Sequence, residues 1–237
     1  CSQAHGDLAE SLKYLNKAIE LNPNYAEALI NRSQIWLEQG KKEYALIDLE
    51  LAHKIKPHLK QIWKLLIDLI VDTKNFSKAI STLIHMIDID PTYEENYSTI
   101  AICNQMANDP SLAVLSFEKV LEIRPDDAAA HLNLAIALRL LGKNKNAIEH
   151  SKIAISIKPD FSEAYDNLGH VLRIQRKLPE AIEAYTNAIS IEPNSPTTQN
   201  ALGVSLQEQG KIEEAIKSYK KAISIKPDYA EAYNNLG

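Results

Sequence analysis

Three side chains could in principle move a proton. Asp166, His170 and Arg173 follow one another at steps of four and three. On a helix that spacing brings them to one face, where a carboxylate can orient an imidazole for acid–base work. The same spacing also describes a solvated helix pair, and that is the simpler reading. The other histidines, His5, His53, His58, His85, His131 and His150, show no spacing suited to zinc. Cys103 shares an apolar stripe with Ile100 and reads as a small buried hydrophobe, not a nucleophile. With Cys1 as the only other thiol, no disulfide framework can form. The motifs HExxH, GxxxxGK[ST], CxxC and GxSxG do not occur. The residues therefore point to a segment that is not an enzyme, with no metal site and no cofactor.

Composition narrows the remaining classes. Of 237 residues, 45% are apolar and 24% charged, with a net charge of −5. That is ordinary for a folded chain and unlike a disordered one. A mildly acidic balance does not suit a phosphate-neutralising surface, so nucleic acid is not an expected partner. The most apolar run, Ile62 to Val71, is interrupted by Lys64 and Asp68, so membrane insertion is not expected and a cytoplasmic protein is. The chain opens on Cys-Ser-Gln without a Met and reads as a piece of a longer polypeptide, so a leader lost upstream stays open.

The elements that must position these residues are set by a repeat. Pro23, Pro57, Pro91, Pro125, Pro159, Pro193 and Pro227 stand 34 residues apart, and only Pro110, Pro179 and Pro196 fall outside the series. Within a period, apolar residues recur at steps of three and four, as in Ile212, Ala215, Ile216, Tyr219, Ala222 and Ile223. Gly6, Gly40, Gly142 and Gly210 mark a break between two helical runs, where a left-handed cap suits glycine. Each proline of the series then stops the second run, because it lacks an N–H and crowds the preceding turn. The predicted unit is helix, short turn, helix, short turn.

Small residues recur where helices must cross closely. Twelve before each proline stand Ser11, Ala45, Ala79, Ala113, Ala147, Ala181 and Ala215. A second small column holds Ser33, Ile67, Ala101, Ala135, Gly169, Gly203 and Gly237, and a larger partner column holds Leu15, Leu49, Leu83, Phe117, Ser151, Tyr185 and Tyr219. Ile67 and Ser151 break their columns, so the unit around 60–93 is expected to pack with altered spacing.

These residues carry a resemblance. Tyr165, Leu168, Gly169, Leu172, Ala181, Tyr185, Ala188 and Pro193, and again Leu202, Gly203, Leu206, Gly210, Ala215, Tyr219, Ala222 and Pro227, match the tetratricopeptide repeat (TPR) pattern. The units at 60–93 and 94–127 depart most, with Lys74 and Asn108 in place of the turn glycine. The resemblance implies an all-α fold, a right-handed α-α superhelix of antiparallel helix pairs. Its units would run 26–59, 60–93, 94–127, 128–161, 162–195 and 196–229. Residues 1–25 would hold the end of a first helix and a complete second helix, and 230–237 the start of a further unit.

Arrays of this family resemble one another in using the free face of their first helices to bind partner segments. The groove columns lie 30, 27, 23, 20 and 19 before each proline. They include Lys64; Glu95, Ser98, Ile102 and Met106; Leu132, Ile136, Arg139 and Leu140; Glu163, Asp166, His170, Arg173 and Ile174; and Asn200 and Glu208. Ile102, Met106, Leu132, Ile136 and Leu140 would form a hydrophobic seat for a partner, unless neighbouring helices cover them as core. A further column contains Asn31, Asn133, Asn167 and Asn235, interrupted by Leu65, Thr99 and Ala201. It resembles the asparagine ladder of O-linked N-acetylglucosamine transferase arrays, where an amide can both donate to and accept from a peptide backbone. The bland alternative is that these amides serve local polar needs. A chaperone-type carboxylate clamp is not expected, because only Lys64 stands in a matching column.

The expected function is a scaffold that binds a protein or an extended peptide or partner helix in its groove. The alternative is the substrate-recognition arm of a larger glycosyltransferase or sulfotransferase whose catalytic domain lies outside this segment. Repeat arrays also need polar capping helices, so exposed apolar ends would favour self-association.

Overall fold

The computed structural model describes residues 2–93 and 95–237, with side chains throughout except at 2–7, 95 and 98. His5 and the groove positions Glu95 and Ser98 therefore lie outside the described side chains. Among the described residues there are fourteen α-helices and no strand. They are α1 Ser2–Leu21, α2 Ala26–Glu38, α3 Lys42–Ile55, α4 Trp63–Asp72, α5 Phe76–Ile89, α6 Glu95–Ala107 and α7 Pro110–Ile123. There follow α8 Ala128–Leu140, α9 Asn144–Ile157, α10 Ser162–Ile174, α11 Leu178–Ile191, α12 Pro196–Glu208, α13 Ile212–Ile225 and α14 Ala230–Leu236. The fold is an all-α solenoid of helix pairs. The chain forms two compact units, residues 1–108 and 109–237, so the division falls inside the segment expected as a repeat at 94–127.

Local chemistry sets the ends of these helices. The three prolines outside the periodic series all stand in first turns, Pro110 in α7, Pro179 in α11 and Pro196 in α12. There the missing N–H costs nothing and the fixed φ suits a helix. Asp109 and Ser195 cap two of these helices, their side-chain oxygens accepting from Leu112 N at 3.2 Å and Thr198 N at 3.3 Å. At the breaks between paired helices, Gly40, Gly142 and Gly210 take φ of 72°, 72° and 85°. Lys74, Asn108 and Arg176 hold the same left-handed turn at 58°, 49° and 61°, so the break survives without glycine.

Gly6 is the exception. No break forms there, and α1 runs unbroken from Ser2 to Leu21. Continuing α1 costs only about 1 kcal/mol for a glycine within it. The expected split of residues 1–25 into two helices is corrected accordingly.

In the first unit, α1 to α6 pack each on the next. Ala45, Ala52, Ala79 and Met86 are fully buried at the crossings. A 3₁₀ turn at Lys60–Ile62 leads into α4, and Trp63 Nε1 donates to the Pro57 carbonyl at 3.0 Å. Tyr97 repeats that tie on Pro91 at 2.9 Å. Inside this unit Arg32 grips Asp48 through Nε at 2.8 Å and Nη2 at 2.6 Å. Cys103 is buried, and burial pushes its thiol above the ordinary range, as suits a core residue.

In the second unit, α7 to α14 again pack in chain order, and the first helices also touch one another directly: α8 with α10, α10 with α12, and α12 with α14. The small and large columns interlock there. A Cβ built at Gly169 would fall 2.7 Å from Tyr185 Cε1, and one at Gly203 would fall 2.5 Å from Tyr219 Cε1. Only glycine lets those rings lie flat on the neighbouring backbone.

Candidate functional site

The direct packing of α8, α10, α12 and α14 turns the groove columns of the second unit into one continuous face. Leu140 on α8 and Ile174 on α10 occupy the same column and are 60% and 52% exposed. Around them the face is polar and partly cross-linked. Arg173 Nη1 donates to Glu208 Oε1 at 2.9 Å, and Arg176 Nη1 reaches Glu208 Oε2 at 3.3 Å. Asn235 Nδ2 donates to Asn200 Oδ1 at 3.0 Å. The predicted Asp166–His170 pair forms at 3.3 Å, with the imidazole edge-on to the Tyr185 ring at 5.4 Å between centroids. Burial, and after it the Asp166 charge, pushes the Tyr185 phenol well above its ordinary range. Asp166 Oδ1 is enclosed and makes no hydrogen bond.

Several predicted groove residues turn inward. Leu132 is only 6% exposed and sits in core with Ala154 and Ala164, with Ile136 half-buried against it. The single hydrophobic seat is corrected to this extent: Leu132 is core, because the N-terminal end of α10 covers it. Ile102 and Met106 on α6 are 55% and 52% exposed, but they belong to the first unit.

Asn167 also leaves the surface. It is 4% exposed, donates through Nδ2 to Ser151 Oγ at 3.0 Å and accepts from Arg139 Nε at 2.9 Å. Ser151 stands where sister repeats place Tyr185 and Tyr219, and the Asn167 amide reaches into the room the missing ring leaves. Asn200 is buried too, Asn133 and Asn235 are half-buried, and Asn31 is exposed on α2. An unbroken ladder of free amides is not what this chain presents.

The first unit holds a different arrangement. A cavity of about 230 Å³ opens between α4, α5 and α6. Trp63, Ile67, Leu83 and Asn96 form its buried wall, Tyr93 and Thr99 flank it, and exposed Lys64 and Asp68 stand at its mouth. Ile67, the large member of the small column, is buried in this wall. The columns quoted above miss Asn96. The signal that finds it lies 29 before the proline, where Ala28, Ala130, Ala164 and Ala232 stand in other repeats.

Two further features complete the picture. Among the described residues no group of three or more histidine, cysteine, aspartate or glutamate side chains converges as a metal site. No helix among them is long and apolar enough to cross a membrane.

Comparison with known proteins places these features in a family. Models described as "TPR repeat" match residues 169–210 and 205–237, and models described as "Tetratricopeptide repeat" match 3–58 and 116–149. Together they span about two thirds of the chain. No curated protein matches the sequence. Among solved structures, the crystal structure of MamA is similar at 25% identity and a TM-score of 0.60, over 70% of this chain and 97% of that one. The crystal structure of the APC/C hetero-tetramer Cut9–Hcn1 shares the fold at 16% identity and a TM-score of 0.60, over 98% of this chain and 46% of that one.

Proposed function

The chain belongs to the tetratricopeptide repeat family, and from that premise we propose that it is a protein-interaction scaffold. Its second unit holds an extended peptide or partner helix on the face of α8, α10, α12 and α14. One observation carries this reading: Leu140 and Ile174 stand exposed in one column of two helices that pack side by side. Two large apolar side chains in register, with half-buried Ile136 and Val204 in a neighbouring column and polar groups around them, suit a partner that brings its own apolar residues at matching spacing. Arg173, His170 and Asn235 supply polar contacts around them. Cross-links to Glu208 and Asn200 hold this rim in place before a partner arrives, which lowers the ordering cost of binding.

The test uses the full chain carrying Leu140→Glu and Ile174→Glu together. Both positions are exposed, so the helix content and unfolding midpoint are expected to stay unchanged. Proteins retained from the native cell extract by the parent chain, and identified by mass spectrometry, are expected to be lost by the variant. Equal retention by both proteins sinks the proposed face.

A further inference from the structure

We propose that the cavity between α4, α5 and α6 is a second recognition site, and that it takes the carboxamide side chain of a glutamine or asparagine from a partner polypeptide. The inference does not rest on the face of the second unit, since every residue it uses lies in the first.

The starting observation is Asn96. It is 3% exposed, lines the cavity, and its Nδ2 makes no hydrogen bond. A buried donor without an acceptor is costly, and natural folds almost always satisfy it. The same position is alanine in four other repeats and Thr198 in another, so packing does not call for an amide here. The Thr198 hydroxyl finds Ser195 at 2.8 Å, whereas Asn96 Nδ2 finds no such partner. The site thus asks for an acceptor atom from outside the chain.

Size and charge narrow the occupant. About 230 Å³ is smaller than a typical small-molecule or cofactor site and suits one side chain. The walls of Trp63, Ile67 and Leu83 favour an aliphatic stem. At the mouth, Lys64 and Asp68 stand on one helix, four residues apart, and their charges cancel. A carboxylate would gain Lys64 and meet Asp68; an ammonium would gain Asp68 and meet both Lys64 and the donor of Asn96. A neutral carboxamide pairs with Asn96 and Asp68 and sets no like charge beside Lys64 or Asp68. Its oxygen accepts from Asn96 Nδ2, and its own amino group donates to the Asp68 carboxylate.

The experiment is a titration of the ¹⁵N-labelled full chain with blocked tripeptides acetyl-Gly-X-Gly-amide, where X is glutamine, asparagine, glutamate, lysine or alanine. The side-chain resonances of Asn96 and the Trp63 indole are followed. Glutamine or asparagine is expected to shift both in a saturable way, with a dissociation constant of about 1 mM for so small a probe. Glutamate, lysine and alanine are expected to bind at least tenfold more weakly. Asn96→Ala, a residue this position already carries in sister repeats, is expected to keep the fold and abolish the Trp63 shift; Asn96→Thr gives a second folded control. No saturable shift with any peptide means the cavity holds water alone and overturns the proposal. So does glutamate or lysine binding as well as glutamine, or a glutamine shift that persists in both variants.

Discussion

His53 shows how one residue can tie stability to pH. It is buried on α3, and neither ring nitrogen has a hydrogen-bond partner. Burial first, and the neighbouring His85 second, hold its pKa below the ordinary 6.5. The unfolded chain therefore takes up the proton more readily than the folded one. His53's contribution to stability is complete above about pH 6.5 and is lost as pH falls through its lowered value. Sister repeats place Ile87, Ile155, Ile189 and Ile223 in this column. His53→Ile is expected to stabilise the first unit by about 1–2 kcal/mol at pH 7.5, by removing two unpaired ring nitrogens. It should also weaken the loss of stability on going from pH 7.5 to below 6.5. Urea unfolding at both pH values checks this, and equal acid sensitivity in the two proteins would refute it. His150 is lowered in the same sense, by burial and then by His131, so some acid sensitivity should remain in the second unit.

Between helices, the governing variable is the summed size of two facing columns. Gly169 with Tyr185 and Gly203 with Tyr219 fill the space one way. Ala135 with Ser151 leaves room that Asn167 occupies, and Ile67 with Leu83 adjoins a cavity. Gly203→Ala should therefore destabilise the second unit by about 1–3 kcal/mol, since its Cβ meets the Tyr219 ring. Adding Tyr219→Leu should recover part of the loss, because Leu49 and Leu83 already face larger residues than glycine. Denaturant unfolding of the single and double variants measures both effects. Additive losses in the double variant would contradict the pairing.

The same comparison explains what was legible beforehand. Helix pairs, their turns and the alanine crossings follow from a period and from local chemistry, both of which a single sequence displays. Asn167 and Leu132 could not be placed that way. Whether a groove-column residue faces water depends on what the neighbouring helix brings to it, and Ser151 and the start of α10 decide it here. Asn96 was missed because its column looks like ordinary packing until one member turns polar. Gly6 misled because a glycine permits a break without forcing one, and α1 continues through it at a modest cost.

For the molecule as a whole, the outermost described helix of the first unit is poorly covered. Tyr14 and Leu21 on α1 are 65% and 75% exposed. The 237-residue chain is accordingly expected to self-associate as its concentration rises. Static light scattering across a concentration series should show the apparent mass climbing above that of one chain, and a constant monomer mass would rule this out.

The division after Asn108 predicts where the protein can be taken apart. Counting by repeats, a gene cut before Ala128 looks natural, but it would strip α7 from α8 and leave the buried edge of the second unit wet. A cut before Asp109 keeps α7 in place and retains its own aspartate cap and first-turn proline. The expected repeat boundary and the division between the compact units are thus out of step by one helix. A segment copied or shuffled as a whole repeat from this region would carry α6 away from the unit it completes and deliver α7 to one it must rejoin.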